Sequence, residues 1–151
     1  MPNDYGYDYT PLLWILFTGY LIVIALIVLI SYIVMAIALS LFFKKVGVEP
    51  WKAWVPVYGY YTWLQVGGQN GYLAILSVIP YAAIVTWIFL YIGMYRSGFA
   101  FGKEAGFLVL GIFFPFVWLF ILASRNQVYR PELIAARGYP PPLAGYGAVP
   151  V

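Results

Sequence analysis

The chain has 151 residues, of which 64% are hydrophobic and 9% are charged, and its net charge is +3 at neutral pH. A soluble domain carries about 25% charged residues, so this composition indicates a single domain whose solvent is lipid. The chain contains no cysteine and no histidine, which excludes disulfides, thiolate metal sites and the usual general base. The small positive charge is interpreted as membrane topology and not as nucleic-acid binding.

The N-terminal part predicts one long membrane helix. Residues 1–10 are polar and acidic, unlike a signal peptide, which begins with basic residues. The stretch Pro11–Phe43 contains no charged residue, and as a helix it would extend about 50 Å, against about 30 Å for the hydrocarbon core. Two spans and a turn would not fit, so we predict a single helix over 11–45, with Thr10 as its cap. Two basic side chains end the helix and can reach lipid phosphates: Lys44 and Lys45.

An aromatic segment follows over residues 46–70. Trp and Tyr prefer the boundary between membrane and water, and Pro50 and Pro56 each suit the first turn of a helix. We therefore predict two short helices, about 50–55 and 56–66, that lie flat in the interface and anchor the spans or form a docking surface. With the preceding lysines, the candidate anchoring and docking residues are Lys44, Lys45, Trp51, Trp54, Tyr58, Tyr60, Tyr61 and Trp63.

Two further apolar stretches predict membrane helices over residues 71–95 and 105–124. Pro80 predicts a kink in the first, and Pro115 lies in the middle of the second. A loop, 96–104, joins them.

The end of the chain, residues 125–151, is a tail rich in proline and glycine. Such a composition cannot build a core, so we expect the tail to be extended or disordered unless a partner holds it. We expect its basic residues to dock it, and these are Arg125, Arg130 and Arg137.

The distribution of Lys and Arg orients the predicted spans. Three spans would place residues 44–70 and 125–151 on one side, with 1–10 and 96–104 on the other. The first side carries Lys44, Lys45, Lys52, Arg125, Arg130 and Arg137, and the second carries Arg96 and Lys103. The sequence therefore predicts a multi-pass protein of the plasma membrane with its N-terminus outside and its C-terminus in the cytoplasm.

The order of these motifs resembles a known family. The stretch FFKKVGVEPWKAWVPVYGYYTWLQVGGQNGY, then a proline-containing span, then FAFGKEAGFLVLGIFFPFVWLFIL, is similar to the small bacterial membrane proteins of the DUF5684 family over about residues 36–130. The resemblance implies a membrane protein with no established biochemical activity, although members often carry a signal-peptidase label. The best-matched positions are Lys44, Lys45, Trp51, Trp54, Pro56, Tyr58, Phe101, Gly102, Lys103, Gly106, Phe107, Gly111 and Pro115.

The sequence offers few groups for catalysis or transport. Ser40 and Lys44 are four residues apart and share a helix face, but a lysine at a helix end stays hydrated and charged, which disfavours a protease dyad. Coupled transport usually requires an ionisable group within a span, and the predicted spans contain no charged residue apart from Lys44 and Lys45, which end the first helix. The acidic residues are scattered, so Asp4 and Asp8 would bind a cation weakly at most.

These observations predict an all-α membrane protein with three transmembrane helices, the first one long, and a short aromatic interfacial segment. We expect a non-enzymatic accessory or structural subunit of a larger membrane protein complex, with energy-transducing complexes among the candidates. The expected partners are the lipid bilayer and other membrane subunits, with no nucleic acid, metal or cofactor. The alternative is a self-assembling pore or small-solute carrier with Ser31, Ser77 and Thr86 around a shared axis, and a membrane protease is the third.

Overall fold

The computed structural model describes residues 8–146. Within them the chain forms α-helices and two short 3₁₀ helices, with no strand, which confirms the predicted all-α class. The chain divides into two compact units, residues 1–33 and 34–151, called unit 1 and unit 2 below.

Helix α1 runs over Thr10–Val46, 37 residues, close to the predicted 11–45. Its start differs from the prediction, because Thr10 is already helical. The Asp8 carboxylate accepts hydrogen bonds from the Thr10 backbone nitrogen, at 3.0 Å, and from the Thr10 hydroxyl. Asp8 therefore caps the helix by satisfying its first donors, and the hydrogen bond from the hydroxyl is the main reason that the pKa of Asp8 is lowered.

The end of α1 is fixed by a glycine. Gly47 has a φ of 84°, a left-handed conformation that glycine adopts without strain. The Val48 nitrogen then donates to the Phe43 carbonyl at 2.8 Å, which is the pattern of a helix stopped by a left-handed residue.

The two parts of α1 have different surroundings. In unit 1 the apolar side chains up to Ile33 are exposed on consecutive positions and hence on every side, for example Trp14 at 64% and Ile22 at 56%. In unit 2 the helix turns one face into a core. The buried residues of this part are Ala36, Ala38, Leu39, Phe42, Phe43 and Val46.

The aromatic segment forms the two predicted short helices. The first is a 3₁₀ helix over Pro50–Trp54 and the second is helix α2 over Pro56–Val66. Each begins with a proline, whose missing N–H costs nothing in the first turn. Gly67 ends α2, and Gly68 follows with a φ of 70°.

The stretch predicted as a kinked second span folds back on itself. Residues Gly71–Val78 form a second 3₁₀ helix and Ala83–Ala100 form helix α3. The Thr86 hydroxyl donates to the Leu73 carbonyl at 2.6 Å, so the two helices lie side by side as a hairpin. The structure differs from the prediction because Pro80 reverses the chain: the residue before a proline is driven out of helical geometry, and here Ile79 is extended.

The stretch predicted as a third span is a second hairpin. Helix α4 covers Phe107–Phe113 and helix α5 covers Pro115–Ala123, and Phe114 between them is non-helical. The rings of Phe107 and Trp118 are 6.0 Å apart, whereas a continuous helix would separate these positions by about 16 Å. This stretch therefore does not form one membrane-length helix.

The ends of α1, α3 and α5 and the start of the tail come together at one end of unit 2, where Lys45 contacts Ser124 and Arg130 contacts Ala100. We call this the polar end. At this end the ring of Phe101 lies 6.0 Å from that of Phe42, and the Arg130 nitrogen donates to the Ala100 carbonyl at 2.8 Å. The predicted topology would place residue 100 and residue 130 on opposite sides of a hydrocarbon core about 30 Å thick, too far apart for a hydrogen bond. The predicted topology, with loop 96–104 outside and the tail in the cytoplasm, is therefore incompatible with the structure.

By length and composition, α1 and α3 are the two helices in the described part of the chain that could cross a membrane. A last short helix, α6, covers Glu132–Ala136. The largest fully buried side chains of unit 2 include Phe42, Phe43, Trp63, Leu90, Met94 and Trp118.

Candidate functional site

A row of aromatic rings crosses the surface of unit 2. Trp51, Tyr58, Tyr61 and Tyr72 contact one another in turn, with centroid distances of 5.6, 5.8 and 5.5 Å. We call these four residues the aromatic ladder. Tyr58 and Tyr61 are three positions apart on α2 and therefore neighbours on its surface, while the outer rings come from the two 3₁₀ helices. Each Trp or Tyr side chain has an apolar ring and a polar group at its edge, a combination that suits contact with a lipid interface or with a protein partner.

An ion pair borders the ladder. The Lys52 ammonium lies 2.5 Å from the Glu49 carboxylate and 5.7 Å from the centre of the Tyr58 ring. The hydrogen bond between Lys52 and Glu49 is the main reason that the pKa of Glu49 is lowered and that of Lys52 is raised. Lys52 therefore remains a cation beside an aromatic face, a favourable placement for both groups.

The predicted anchoring residues separate into exposed and buried groups. Trp51, Trp54 and Tyr58 are exposed, as an interface or docking role requires, and Tyr60 and Tyr61 are half-buried. Trp63 is only 1% exposed and belongs to the core. We expected Trp63 to anchor the protein or to dock a partner, but a side chain this deeply buried cannot contact lipid or another protein.

The two lysines at the end of α1 also differ. The Lys45 ammonium donates to the carbonyl of Ser124 at 3.0 Å, directly after the end of α5, where a positive charge is favourable. Lys44 is exposed. Lys45 thus has a structural role in unit 2, while Lys44 is the one whose charge faces outward.

The first part of the tail is bound to α3. The Arg137 guanidinium lies 4.1 Å from the centre of the Phe99 ring, and Tyr139 stacks on Phe99 with centroids 5.9 Å apart and planes within 9°. Arg96 of α3 lies 5.5 Å from the Tyr139 ring. Two cations and two rings thus fasten the tail to the helix. Arg125 and Arg130 have exposed side chains.

The rest of the described tail crosses the polar end. The Leu143 nitrogen donates to the carbonyl of Gln65 at 2.8 Å, and the Tyr129 hydroxyl donates to the carbonyl of Gly145 at 2.9 Å. Burial is the main reason that the pKa of Tyr129 is raised, so this donor keeps its proton. The tail was expected to need a partner to be ordered, but up to residue 146 its own chain holds it, and residues 147–151 lie outside the described part.

Ser40 and Asp8, which the sequence suggested for catalysis and cation binding, form hydrogen bonds with residues close in sequence. The Ser40 hydroxyl donates to the carbonyl of Ile37 in its own helix at 2.9 Å, as serines in apolar helices usually do. Among residues 8–146, no three acidic side chains come together in a way that could hold a metal ion. Asp8 is engaged as the helix cap, and Asp4 lies outside the described residues.

The fold and these surfaces define a small helical protein with a membrane-length first helix, followed by a body of two helical hairpins. The chain belongs to the DUF5684 family, a family of unknown function whose model matches residues 51–130. This confirms the resemblance that the motifs suggested. The matched range begins at Trp51 of the ladder and contains both hairpins, while the whole of α1, including Lys44 and Lys45, precedes it. No curated protein and no solved structure matches the chain.

Proposed function

We propose that this chain is a non-enzymatic integral membrane protein that docks as a small accessory subunit against a larger membrane assembly. The observation that carries the proposal is the exposure of α1 in unit 1. Its apolar side chains are uncovered on all sides as far as Ile33, which is far more contiguous apolar surface than a soluble protein leaves free. Residues 10–33 measure about 36 Å as a helix, enough to cross a hydrocarbon core of about 30 Å.

We propose a topology with one crossing by α1. The predicted loop 96–104 and the tail meet at the polar end of unit 2, so no further crossing is needed to connect its helices. Every Lys and Arg of the chain follows residue 43, and none precedes α1. The positive-inside rule then places the N-terminus outside the plasma membrane and unit 2 on the cytoplasmic side.

The docking surface that we propose is the aromatic ladder together with Trp54. Exposed tryptophan and tyrosine are the residues that contribute most often to the energy of protein interfaces. The ladder also lies within the range that matches the family model, whereas the membrane-length helix lies entirely outside it. Contact with the bilayer surface is compatible with the same residues, and the experiment below separates the two uses.

The proposal is tested by purifying the tagged full chain in a gentle detergent, followed by native mass determination and identification of the bound proteins. We expect a complex of fixed stoichiometry with a larger membrane protein. Replacing both Trp51 and Trp54 by alanine should weaken that complex by about tenfold or more. Phe113→Ala removes an aromatic side chain that is 71% exposed outside the ladder, and it should leave the complex intact.

A free monomer, or a complex that is equally stable in both variants, would contradict docking through the ladder. A homo-oligomer without another protein would favour the pore or carrier. For that alternative, Ser31 is exposed, but the Ser77 and Thr86 hydroxyls donate to the carbonyls of Ala74 and Leu73. Their protons are therefore not available to a passing solute.

A further inference from the structure

A cavity of about 320 Å³ lies between α2, the second 3₁₀ helix and α3, within unit 2. Its size is at the lower end of the range for small-molecule sites. Pro56, Val78 and Trp87 contribute apolar walls, and the polar side chains that line it are Tyr60, Ser77 and Thr86. Neither the aromatic ladder nor the described part of the tail contributes to it.

The polar groups of the cavity have a defined donor and acceptor pattern. The Ser77 hydroxyl donates its only proton to the carbonyl of Ala74 at 2.6 Å, so toward the cavity its oxygen can only accept. The Thr86 hydroxyl is committed in the same way to Leu73, and Thr86 is almost fully buried. Ser77, which is half-buried, is therefore the accessible acceptor.

Tyr60 supplies the complementary donor. Its ring is held edge-on against Trp87, with centroids 5.8 Å apart. Among the described residues its hydroxyl forms no hydrogen bond, although the side chain is largely buried. Burial raises the pKa of Tyr60, so the hydroxyl keeps its proton and remains free to donate to a molecule in the cavity.

The residues around the opening of the cavity indicate whether a ligand would enter from water or from lipid. Pro56 and Val78 are exposed at its edge, and Ile79 and Tyr81, at the adjacent turn of the first hairpin, are exposed as well. Among residues 8–146, no charged side chain lines the cavity, so a phosphate or carboxylate would be buried there without a counter-ion, which is costly. A neutral, membrane-soluble molecule fits these conditions.

We propose that this cavity binds a lipid alcohol, a molecule with one hydroxyl head and an alkyl or isoprenoid chain. The ligand hydroxyl accepts a hydrogen bond from the Tyr60 hydroxyl and donates one to the Ser77 oxygen, so that all three groups are satisfied. The chain of the ligand lies against Trp87 and the apolar walls and leaves past Val78. An alkane lacks the head and a fatty acid brings an unpaired charge, so both should bind less well.

The test uses the purified full chain in detergent and dodecanol carrying a photoreactive diazirine, with the site of attachment located by mass spectrometry. We expect saturable labelling of residues that line the cavity. Competition with farnesol and with hexadecanol distinguishes an isoprenoid from a straight-chain alkyl source, while dodecane and laurate should compete poorly.

Tyr60→Phe is the decisive variant, because the hydroxyl it removes forms no hydrogen bond to any residue that the structure describes. It should weaken dodecanol binding by about fivefold, as expected for one hydrogen bond. Tyr58→Phe is the matched control, since it makes the same change on the same helix outside the cavity, and it should leave binding unchanged. Equal binding by the two variants, labelling outside the cavity, or competition by dodecane as strong as that by farnesol would overturn the proposal.

Discussion

The close contact between Gly67 and Gly93 gives the sharpest test of the packing in unit 2. A Cβ atom added at Gly67 would lie 2.3 Å from the Gly93 Cα and 2.9 Å from its carbonyl carbon. Both atoms belong to the backbone of α3, so no flexible side chain can move aside. Gly67→Ala therefore forces the end of α2 away from α3 by about 1 Å, into a region that is closely packed.

The expected cost follows from this displacement. Overpacking that requires a backbone shift costs about 1–3 kcal/mol, and a contact this short belongs at the upper end. A loss of about 3 kcal/mol should lower the melting temperature of a chain of this size by roughly 10 °C. Gly98→Ala is the control, because Gly98 is also a buried residue of α3 but a Cβ there meets nothing within 4 Å. It should raise stability by about 0.5–1 kcal/mol, since alanine suits a helix interior better than glycine.

The assay is thermal unfolding of the full chain in detergent, followed by tryptophan fluorescence, which reports on buried Trp63 and Trp118. Gly67→Ala should melt well below the wild type and Gly98→Ala at or above it. If the two variants melted at the same temperature, α2 and α3 would not be packed against each other at Gly67 and Gly93 as described.

Two further substitutions test the polar end. Lys45→Met removes the hydrogen bond to Ser124 and should lower the free energy of unfolding by about 1–2 kcal/mol in the same assay. Lys44→Met, at the exposed neighbour, should change that free energy by less than about 0.5 kcal/mol, and equal effects of the two substitutions would contradict the contact between Lys45 and Ser124. Tyr129→Phe removes the hydrogen bond to Gly145 and should raise hydrogen exchange in residues 138–146 by about fivefold. Unchanged exchange would mean that the tail is not held there.

The first helix was predictable because its cause is local. A stretch without charge from Pro11 to Phe43 has one stable form in lipid, a helix with every backbone group paired internally. Its ends were less certain, because a cap depends on which side chain reaches the first free N–H groups. Thr10 and Asp8 both suit that role by residue type, and only the structure identifies Asp8.

The hairpins were not predictable because their cause is tertiary. Each apolar stretch after residue 70 has about the length of a span, and a proline inside a span usually kinks the helix. Whether the chain kinks or reverses depends on partners far away in sequence. The close approach of Gly67 to Gly93 allows α3 to pack against α2, and that of Gly111 to Trp118 allows α4 and α5 to pack. A local pattern contains neither pairing.

The sequence could not predict which residues of the aromatic segment are exposed and which are buried, again because the answer depends on tertiary packing. Residues 51–63 are apolar or aromatic on all faces, so helical periodicity alone could not identify the buried side. Trp51 and Trp63 look equivalent in sequence, but one begins the ladder and the other fills the core. The order of the tail likewise rests on distant contacts, such as that of Arg137 with Phe99.

The proposed single crossing of the membrane can be tested directly, because the chain has no cysteine and one introduced cysteine reports one position. The measurement is labelling of Asn3→Cys, Ala105→Cys and Ala136→Cys by a membrane-impermeant maleimide in cells, before and after permeabilisation. Ala105 and Ala136 are both exposed. We expect Asn3→Cys to be labelled in intact cells and the other two only after permeabilisation. Labelling of Ala105→Cys from outside, with Ala136→Cys protected, would contradict the account and restore three separate spans.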